Sequence, residues 1–235
     1  VLFYRSRSGI KLTSSGKVFL TKAQNVLLAI DSLNIKNDGE NIFGGRTIVI
    51  GCHPTVAQYS IPKSLLYLKA NAPDFKIELK HDLSRNIQVE IQRGSIDIGI
   101  VVNPAEVPDL VIQKLAIDMV GVWSAKTDET LDTIICNLEL FQTQSILKKW
   151  KNKPSKIIST DSLELICRLV AENIGYGIIP ERAVRLSGAK IKSHMNLPIF
   201  KDEICLVYRP EFGKTLPEKM VISSLKNAIA LSLKS

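Results

Sequence analysis

From Arg46 to its end the chain repeats one pattern: a short apolar run rich in isoleucine and valine, a turn, then a stretch with apolar residues at three- and four-residue spacing. Runs of the first kind, bounded by glycine or polar turns, read as strands, and stretches of the second kind as amphipathic helices. TIVIG at 47–51 precedes a helical TVAQYSIPKSLLYLKANAP, FKIELKHD reads as a strand, NIQVEIQRG as a helix closed by Gly94, and IDIGIVV as a strand apolar on both faces. Doubly buried strands of that kind belong to parallel sheets. LVIQKLAIDMVGVWS supplies two further strand candidates. A second set runs TIICN, helical LELFQTQSILKKW, KIIST, helical DSLELICRLVAENIG and YGIIP, before the strand ICLVYRP and a C-terminal amphipathic helix over LPEKMVISSLKNAIALSLKS. Such alternation, with right-handed crossovers, predicts an α/β fold on a parallel sheet with its binding crevice at the carboxyl ends of the strands. At 235 residues the chain has room for two lobes of roughly 100 residues each.

Residues 1–45 follow a different pattern. Leu2, Phe3, Ile10 and Leu12 flank SRSG, which reads as a two-stranded ribbon with a basic tip carrying Arg5 and Arg7. Thr13, Ser14 and Ser15 offer N-caps for a long helix in which Phe19, Ala23, Val26, Ile30 and Leu33 form a heptad-like stripe. Leu20, Leu27 and Leu28 widen it beyond what a lone exposed helix leaves in water, so a second surface is implied, either this chain's own or a second copy's. The helix is expected to end between Lys36 and Gly39, with Gly44-Gly45 as a hinge.

Composition narrows the function classes. Lys and Arg outnumber Asp and Glu by 31 to 23, a formal charge of +8, which favours polyanions and makes nucleic acid a natural partner. The basic run KKWKNKPSK at 148–156 reads as a solvated helix end as readily as a binding patch. No stretch of about 18 apolar residues is present to span a bilayer, and the opening residues lack a secretory signal. A cytoplasmic protein without a membrane partner is therefore expected. Cys52, Cys136, Cys167 and Cys205 form no CxxC pair and have no histidines placed to complete a zinc site, so reduced thiols and no metal or cofactor are expected. Among them Cys52, beside His53, is the candidate for a redox-sensing thiol, which needs a neighbour able to carry positive charge. No GxSxG, phosphate loop or motif-spaced carboxylate pair speaks for an enzyme.

Four stretches together resemble the LysR family of transcription regulators. LFYRSRSGIKLTSSG resembles the wing of that family's winged helix-turn-helix and the start of its linker helix, with the LT-x-x-G step at Leu12, Thr13 and Gly16. RTIVIGCHPTVAQYSIP resembles the first strand and helix of its effector domain, RGSIDIGIV its glycine, acidic residue and apolar strand, and VAENIGYGIIPE its helix-to-strand turn in the second lobe. The resemblance implies two Rossmann-like lobes of periplasmic-binding-protein type II architecture, preceded by a wing remnant and a long linker helix. It divides the chain into a wing remnant at 1–12, a linker and dimerisation helix with hinge at 13–45, a first effector-binding lobe at 46–121 plus 206–235, and a second at 122–205. Crossover strands near Val120 to Trp123 and Leu206 to Tyr208 would join the lobes. The recognition helix would precede Val1, leaving Arg5 and Arg7 as this chain's contacts to DNA phosphate.

The implied partners are DNA, a small-molecule effector between the lobes, and a second or further copies of the chain in a homodimer or homotetramer. Independently, helix N-termini aimed at a cleft present free N–H groups and a positive dipole end to an anion or carbonyl. Three such ends are CHPTV, CNLELFQ and STDSLE. By position they match family segments that contact effectors, which carries over Thr55 and Thr160, and with them His53, Pro54, Asn137 and Ser162; Val102 and Asn103, at the end of the central strand, would form the floor. The same Ser, Thr and Asp residues are ordinary N-caps, His53 is equally a hydrogen-bonded turn residue or a sensor of ligand charge, and Glu139 and Asp161 would make part of the pocket acidic. Two other readings of the pattern are a solute-binding protein of the same fold and a dimerising regulator fragment without DNA binding of its own.

Overall fold

The structure, a computed structural model, describes residues 2–6, 9–33, 46–72 and 75–232. It forms two units, one holding residues 1–47 with 72–76, the other 48–71 with 77–235.

In the first unit, strands β1 (Phe3–Ser6) and β2 (Gly9–Leu12) pair antiparallel, with Phe3 opposite Leu12. The expected ribbon is present. Thr13 links it to helix α1 (Ser14–Leu33): its N–H and hydroxyl donate to the Leu2 carbonyl at 3.0 and 3.3 Å, and its Oγ1 accepts from the Gly16 N–H at 2.9 Å. This is an N-cap that also anchors the ribbon. A Cβ at Gly16 would lie 2.0 Å from the Leu2 oxygen, which gives the LT-x-x-G step its physical reason. Along α1, Val18, Phe19, Leu20 and Val26 are exposed and Ala23 is half-buried. Arg7, the expected helix end at Lys36 to Gly39 and the Gly44-Gly45 hinge lie outside the described residues, as do the side chains of Arg5, Ile30 and Leu33.

The second unit holds strands β3 (Thr47–Cys52), β4 (Lys76–His81), β5 (Ile98–Val102), β6 (Val111–Ser124), β7 (Thr133–Cys136), β8 (Lys156–Ser159), β9 (Tyr176–Pro180), β10 (Lys192–Ser193) and β11 (Phe200–Tyr208). Helices α2 (Pro54–Asn71), α3 (Ser84–Arg93), α4 (Phe141–Lys149), α5 (Leu163–Ala171), α6 (Glu181–Ser187) and α7 (Leu216–Ser232) alternate with them. The strands form one sheet in the order β4-β3-β5-β11-β6-β9-β7-β8, with β10 on β6. It is mixed, not wholly parallel as the alternation predicts. β3 and β5 are parallel, as are β7, β8 and β9, but β11 runs antiparallel to both β5 and β6, and β6 antiparallel to β9. Two parallel patches are thus joined by two long antiparallel strands.

Those two strands depart most from the sequence reading. LVIQKLAIDMVGVWS is not two strands but the single 14-residue β6, because its polar interruption, Gln113 and Lys114, stays exposed within a strand that continues through a register shift opposite Ile204 and Cys205. β11 starts at Phe200, and its pairing with β5 covers Ile204 to Tyr208. The segment passing between the patches is therefore Phe200 to Glu203, upstream of the expected crossover at Leu206 to Tyr208. Helix α4 begins at Phe141, so Leu138 to Leu140 are turn rather than helix, and α6 and β10 were not foreseen.

Burial explains the elements that were. Ile98 to Val101 in β5 are fully buried, as a central strand requires. Asp97 ties β5 to β3, its Oδ2 accepting from the Val49 N–H at 2.8 Å while its own N–H donates to Val49 O. Gly94 closes α3 in the left-handed region at φ 84°, a conformation that favours glycine. Ile87, Ile91, Ile96, Val101, Cys205 and Val207 form the core of the first patch. The second patch has a core on each face of the sheet, one around Ile135, Ile166 and Val170, the other around Val122, Ile146 and Trp150. Helix α7 returns to α2, where the Ser64 and Ser224 hydroxyls meet at 2.6 Å.

Candidate functional site

The turns that follow β3 and β5 open onto a cleft of about 530 Å³ between the two patches. His53, Thr55, Val102 and Asn103, all expected at the site, line it. Pro54, Asn137, Thr160 and Ser162 are not among its lining residues. Ser162 caps α5, accepting from the Leu165 N–H at 3.1 Å, and Thr160 Oγ1 accepts from the Ser162 N–H. Asn137 is buried in the turn before α4, its Oδ1 accepting from the Glu139 N–H at 2.9 Å. These three perform the capping and turn roles that their residue types equally predict.

Three bridges cross the cleft. At the α2 end, the Thr55 hydroxyl and Gln58 Nε2 donate to Glu164 Oε1 on α5 at 3.1 and 2.6 Å, and the Ser162 hydroxyl donates to the other Glu164 oxygen. Near the N-terminus of α3, Arg85 grips Glu139 through its carboxylate and its carbonyl at 3.2 and 3.1 Å. On the floor, Asp202 of β11 accepts from Asn103 Nδ2 at 2.6 Å and from Gln142 Nε2 at 3.2 Å. Asn103 reaches it from a left-handed backbone conformation, φ 51°, which asparagine tolerates better than most residues. A neutral amide from each patch therefore converges on one carboxyl.

Beside Asp202 lies a second carboxyl. Asp118 of β6 is its direct cross-strand partner, and both are buried, 6% and 3% exposed. Arg182, at the start of α6, donates its N–H to Asp118 Oδ1 at 3.4 Å and holds its guanidinium 5.6 Å from the centre of the Tyr59 ring. Burial pushes the Asp202 carboxyl up to about 7, with Asn103 pulling it down and the Asp118 charge adding to the rise. Burial likewise raises Asp118 against the pull of Arg182. Sequence reasoning missed all three residues. The available signal was a single aspartate inside each of two otherwise apolar or alternating strands, since an acid at such a position needs a partner.

His53 does not suit a charge sensor. Burial lowers its pKa, against the opposing pull of Glu164, and its Nδ1 accepts from the Thr55 N–H at 3.3 Å. It is a neutral turn residue at neutral pH. The four cysteines are free and buried. Cys52, beside His53, is pushed up to about 12 by burial and Cys136 to about 11, so both remain thiols at neutral pH and lack the thiolate that reacts with oxidants.

Residues 44–126 match the model of the LysR substrate binding domain. The chain is similar to the hydrogen peroxide-inducible genes activator of Haemophilus influenzae, 25% identical over 232 residues, covering 89% of this chain and 76% of that protein. It is also similar to probable RuBisCO transcriptional regulators of Trieres chinensis, 31% identical over 101 residues and 43% of this chain, and of Emiliania huxleyi, 28% identical over 179 residues and 73% of this chain. The chain spans only 32% and 52% of those two relatives. Among solved structures, a full-length OxyR variant from Pseudomonas aeruginosa aligns with a TM-score of 0.63 at 18% identity, covering 98% of this chain and 80% of that one. An OxyR2 regulatory domain variant from Vibrio vulnificus aligns at 0.62 and 17% identity, covering 80% and 96%. At these identities the structural likeness speaks for the fold, the periplasmic-binding-protein type II arrangement of two patches joined by two strands. No described helix is long and apolar enough to cross a membrane.

Proposed function

We propose that the chain is a LysR-family protein carrying that family's substrate-binding domain, that it senses a small-molecule effector in the cleft, and that it controls transcription as part of a DNA-binding regulator. The observation that carries the reading is the cleft itself: both patches line it, and Thr55, Asn103, Arg85 and Asp202 each make a polar bridge to the opposite patch or to the strands that join them. A ligand that inserts among these bridges binds one spacing of the patches better than another, and differential affinity of this kind is what shifts a two-state equilibrium. The protein acts as a switch, not as a catalyst.

The remaining parts follow from the family. DNA is bound through a winged helix-turn-helix of which residues 1–12 form the wing, with Arg5 and Arg7 on phosphate. The exposed Phe19 and Val26 and the half-buried Ala23 mark the face of α1 that pairs with a second copy, in a homodimer or homotetramer, and Ile30 and Leu33 extend that stripe in sequence. Closure of the cleft changes the geometry of this assembly. Thermal-shift screening of the chain against a metabolite panel tests the proposal: a true effector at 100 times its dissociation constant adds about 2.7 kcal/mol of stability, and Thr55→Ala weakens that response. A panel hit that Thr55→Ala and Gln142→Leu both leave unchanged contradicts the cleft as the sensing site. Solution scattering with saturating hit then reads closure, and unchanged scattering contradicts the switch.

A further inference from the structure

We propose that the floor of the cleft receives a zwitterionic, amino-acid-like ligand, with its ammonium on the Asp118 and Asp202 carboxyls and a carboxylate oxygen on Arg182 Nη1. The assignment rests on reading the cleft as the effector site. Asp118 and Asp202 stand directly opposite each other on antiparallel strands, so their side chains share one face of the sheet, and like charges in that position repel. Asp202 has only neutral amides as hydrogen-bond donors, Asn103 and Gln142. The guanidinium of Arg182, the one buried cation near the pair among the described residues, comes no closer to Asp118 than 3.9 Å, through Nη1, too far for a hydrogen bond. That Nη1 has no hydrogen-bond partner, in a side chain only 8% exposed.

Buried charges and polar groups are costly unless paired. The floor therefore carries two unmet requirements side by side: a carboxyl pair short of a cation, and a guanidinium nitrogen short of an oxygen. A simple anion answers the second and aggravates the first. A simple amine answers the first and leaves Nη1 unpaired. One ligand bearing both groups answers both. No group of three or more metal-ligating side chains occurs among the described residues, which favours an ammonium over a metal ion. Tyr59, Leu83, Val89, Leu140 and Phe141 supply apolar walls for the rest of the ligand, so an apolar or aromatic side chain fits best.

The test uses the full chain at pH 7.5 and a panel of the L-amino acids, each with its decarboxylated amine and its deaminated acid, for example L-phenylalanine, 2-phenylethylamine and 3-phenylpropanoate. We expect at least one amino acid to raise Tm by several degrees and each of its two counterparts to bind at least tenfold more weakly. Asp202→Asn abolishes the response; the counterpart comparison on the unaltered chain decides the matter even where that variant fails to fold. No response to any amino acid overturns the assignment, as does a deaminated acid that binds equally well or a response that survives Asp202→Asn. If a broader metabolite library then yields a hit lost in Phe141→Ala or Thr55→Val, the cleft stands as the sensing site and only the zwitterion falls. Hits indifferent to every cleft substitution remove both.

Discussion

At the rim of the cleft, Glu164 joins the buried Thr55 through a half-buried hydrogen bond and Gln58 through an exposed one, whereas at its floor the charged side chains of Asp118, Asp202 and Arg182 are each less than a tenth exposed. The rim gathers around helix N-termini, where a change of partner costs little because water replaces it. The floor is set by strand pairing, where the charges have been taken out of water and each depends on the others. The comparison teaches that the two zones fail differently: rim substitutions alter ligand response with little change in stability, and floor substitutions alter both.

Arg182→Met should have the largest effect. It strands the Asp118 carboxyl without the one cation beside it among the described residues, and loss of one partner of a buried pair typically costs about 3–5 kcal/mol. Because the pair is separated by 3.9 Å, the lower end is expected in urea denaturation; a loss under about 1 kcal/mol would place the floor in the same class as the rim.

Asp202→Asn comes next and has the opposite sign. The folded chain raises this carboxyl from an ordinary value near 3.8 to about 7, so the folded state holds the proton more tightly than the unfolded state. Wild-type stability contributed by this group therefore falls as pH climbs from about 4 to about 7 and is level above that. Asparagine removes the penalty while retaining an acceptor for Asn103 or Gln142. The variant should gain on wild type across that window, at pH 8 by at most the roughly 4 kcal/mol to which a shift of that size corresponds, read as ΔTm between parallel melts at pH 4, 6 and 8. A pH-independent difference would mean that folding leaves the proton affinity of Asp202 unchanged.

Ser162→Ala, in the α5 cap behind the rim, should cost about 1 kcal/mol through loss of that N-cap without changing ligand affinity, since Ser162 does not line the cleft. Glu164→Gln should be smallest in stability, within about 0.5 kcal/mol. Its effect on ligand response is the informative one. A rim carboxylate that merely latches the patches, once weakened, lets the cleft open and changes apparent affinity, and an unaltered ligand titration would mean that the latch has no part in sensing.

The rim was the more legible zone because its signals are local. A β-branched run, a short polar turn and a proline at the first helical position mark Thr55 from a dozen residues of context, and the same logic located α5 and its cap. What local signals cannot decide is which helix ends face the cleft, and there Asn137, Thr160 and Ser162 were assigned by the same pattern to a surface they do not line. The floor was hidden for a different reason. Asp118 and Asp202 are far apart in sequence and meet only because β6 and β11 pair antiparallel along most of their lengths. A parallel reading of the sheet has no place for that contact. Arg182 lay in a seven-residue helix too short to show a period. Core positions such as Ile98 to Val101 were readable from apolarity alone, while the mixed sheet required knowing which strand lies beside which.

Sensing in the cleft is tested most directly by amide chemical-shift mapping of the isotopically labelled chain during titration with the ligand that most raises Tm. The account predicts saturable shifts concentrated at Thr55, Val102, Asn103, Gln142 and Arg182, drawn from both patches and sharing one dissociation constant. Shifts confined to α1 or to the edge strand β8, with the cleft residues unmoved at saturation, would contradict it.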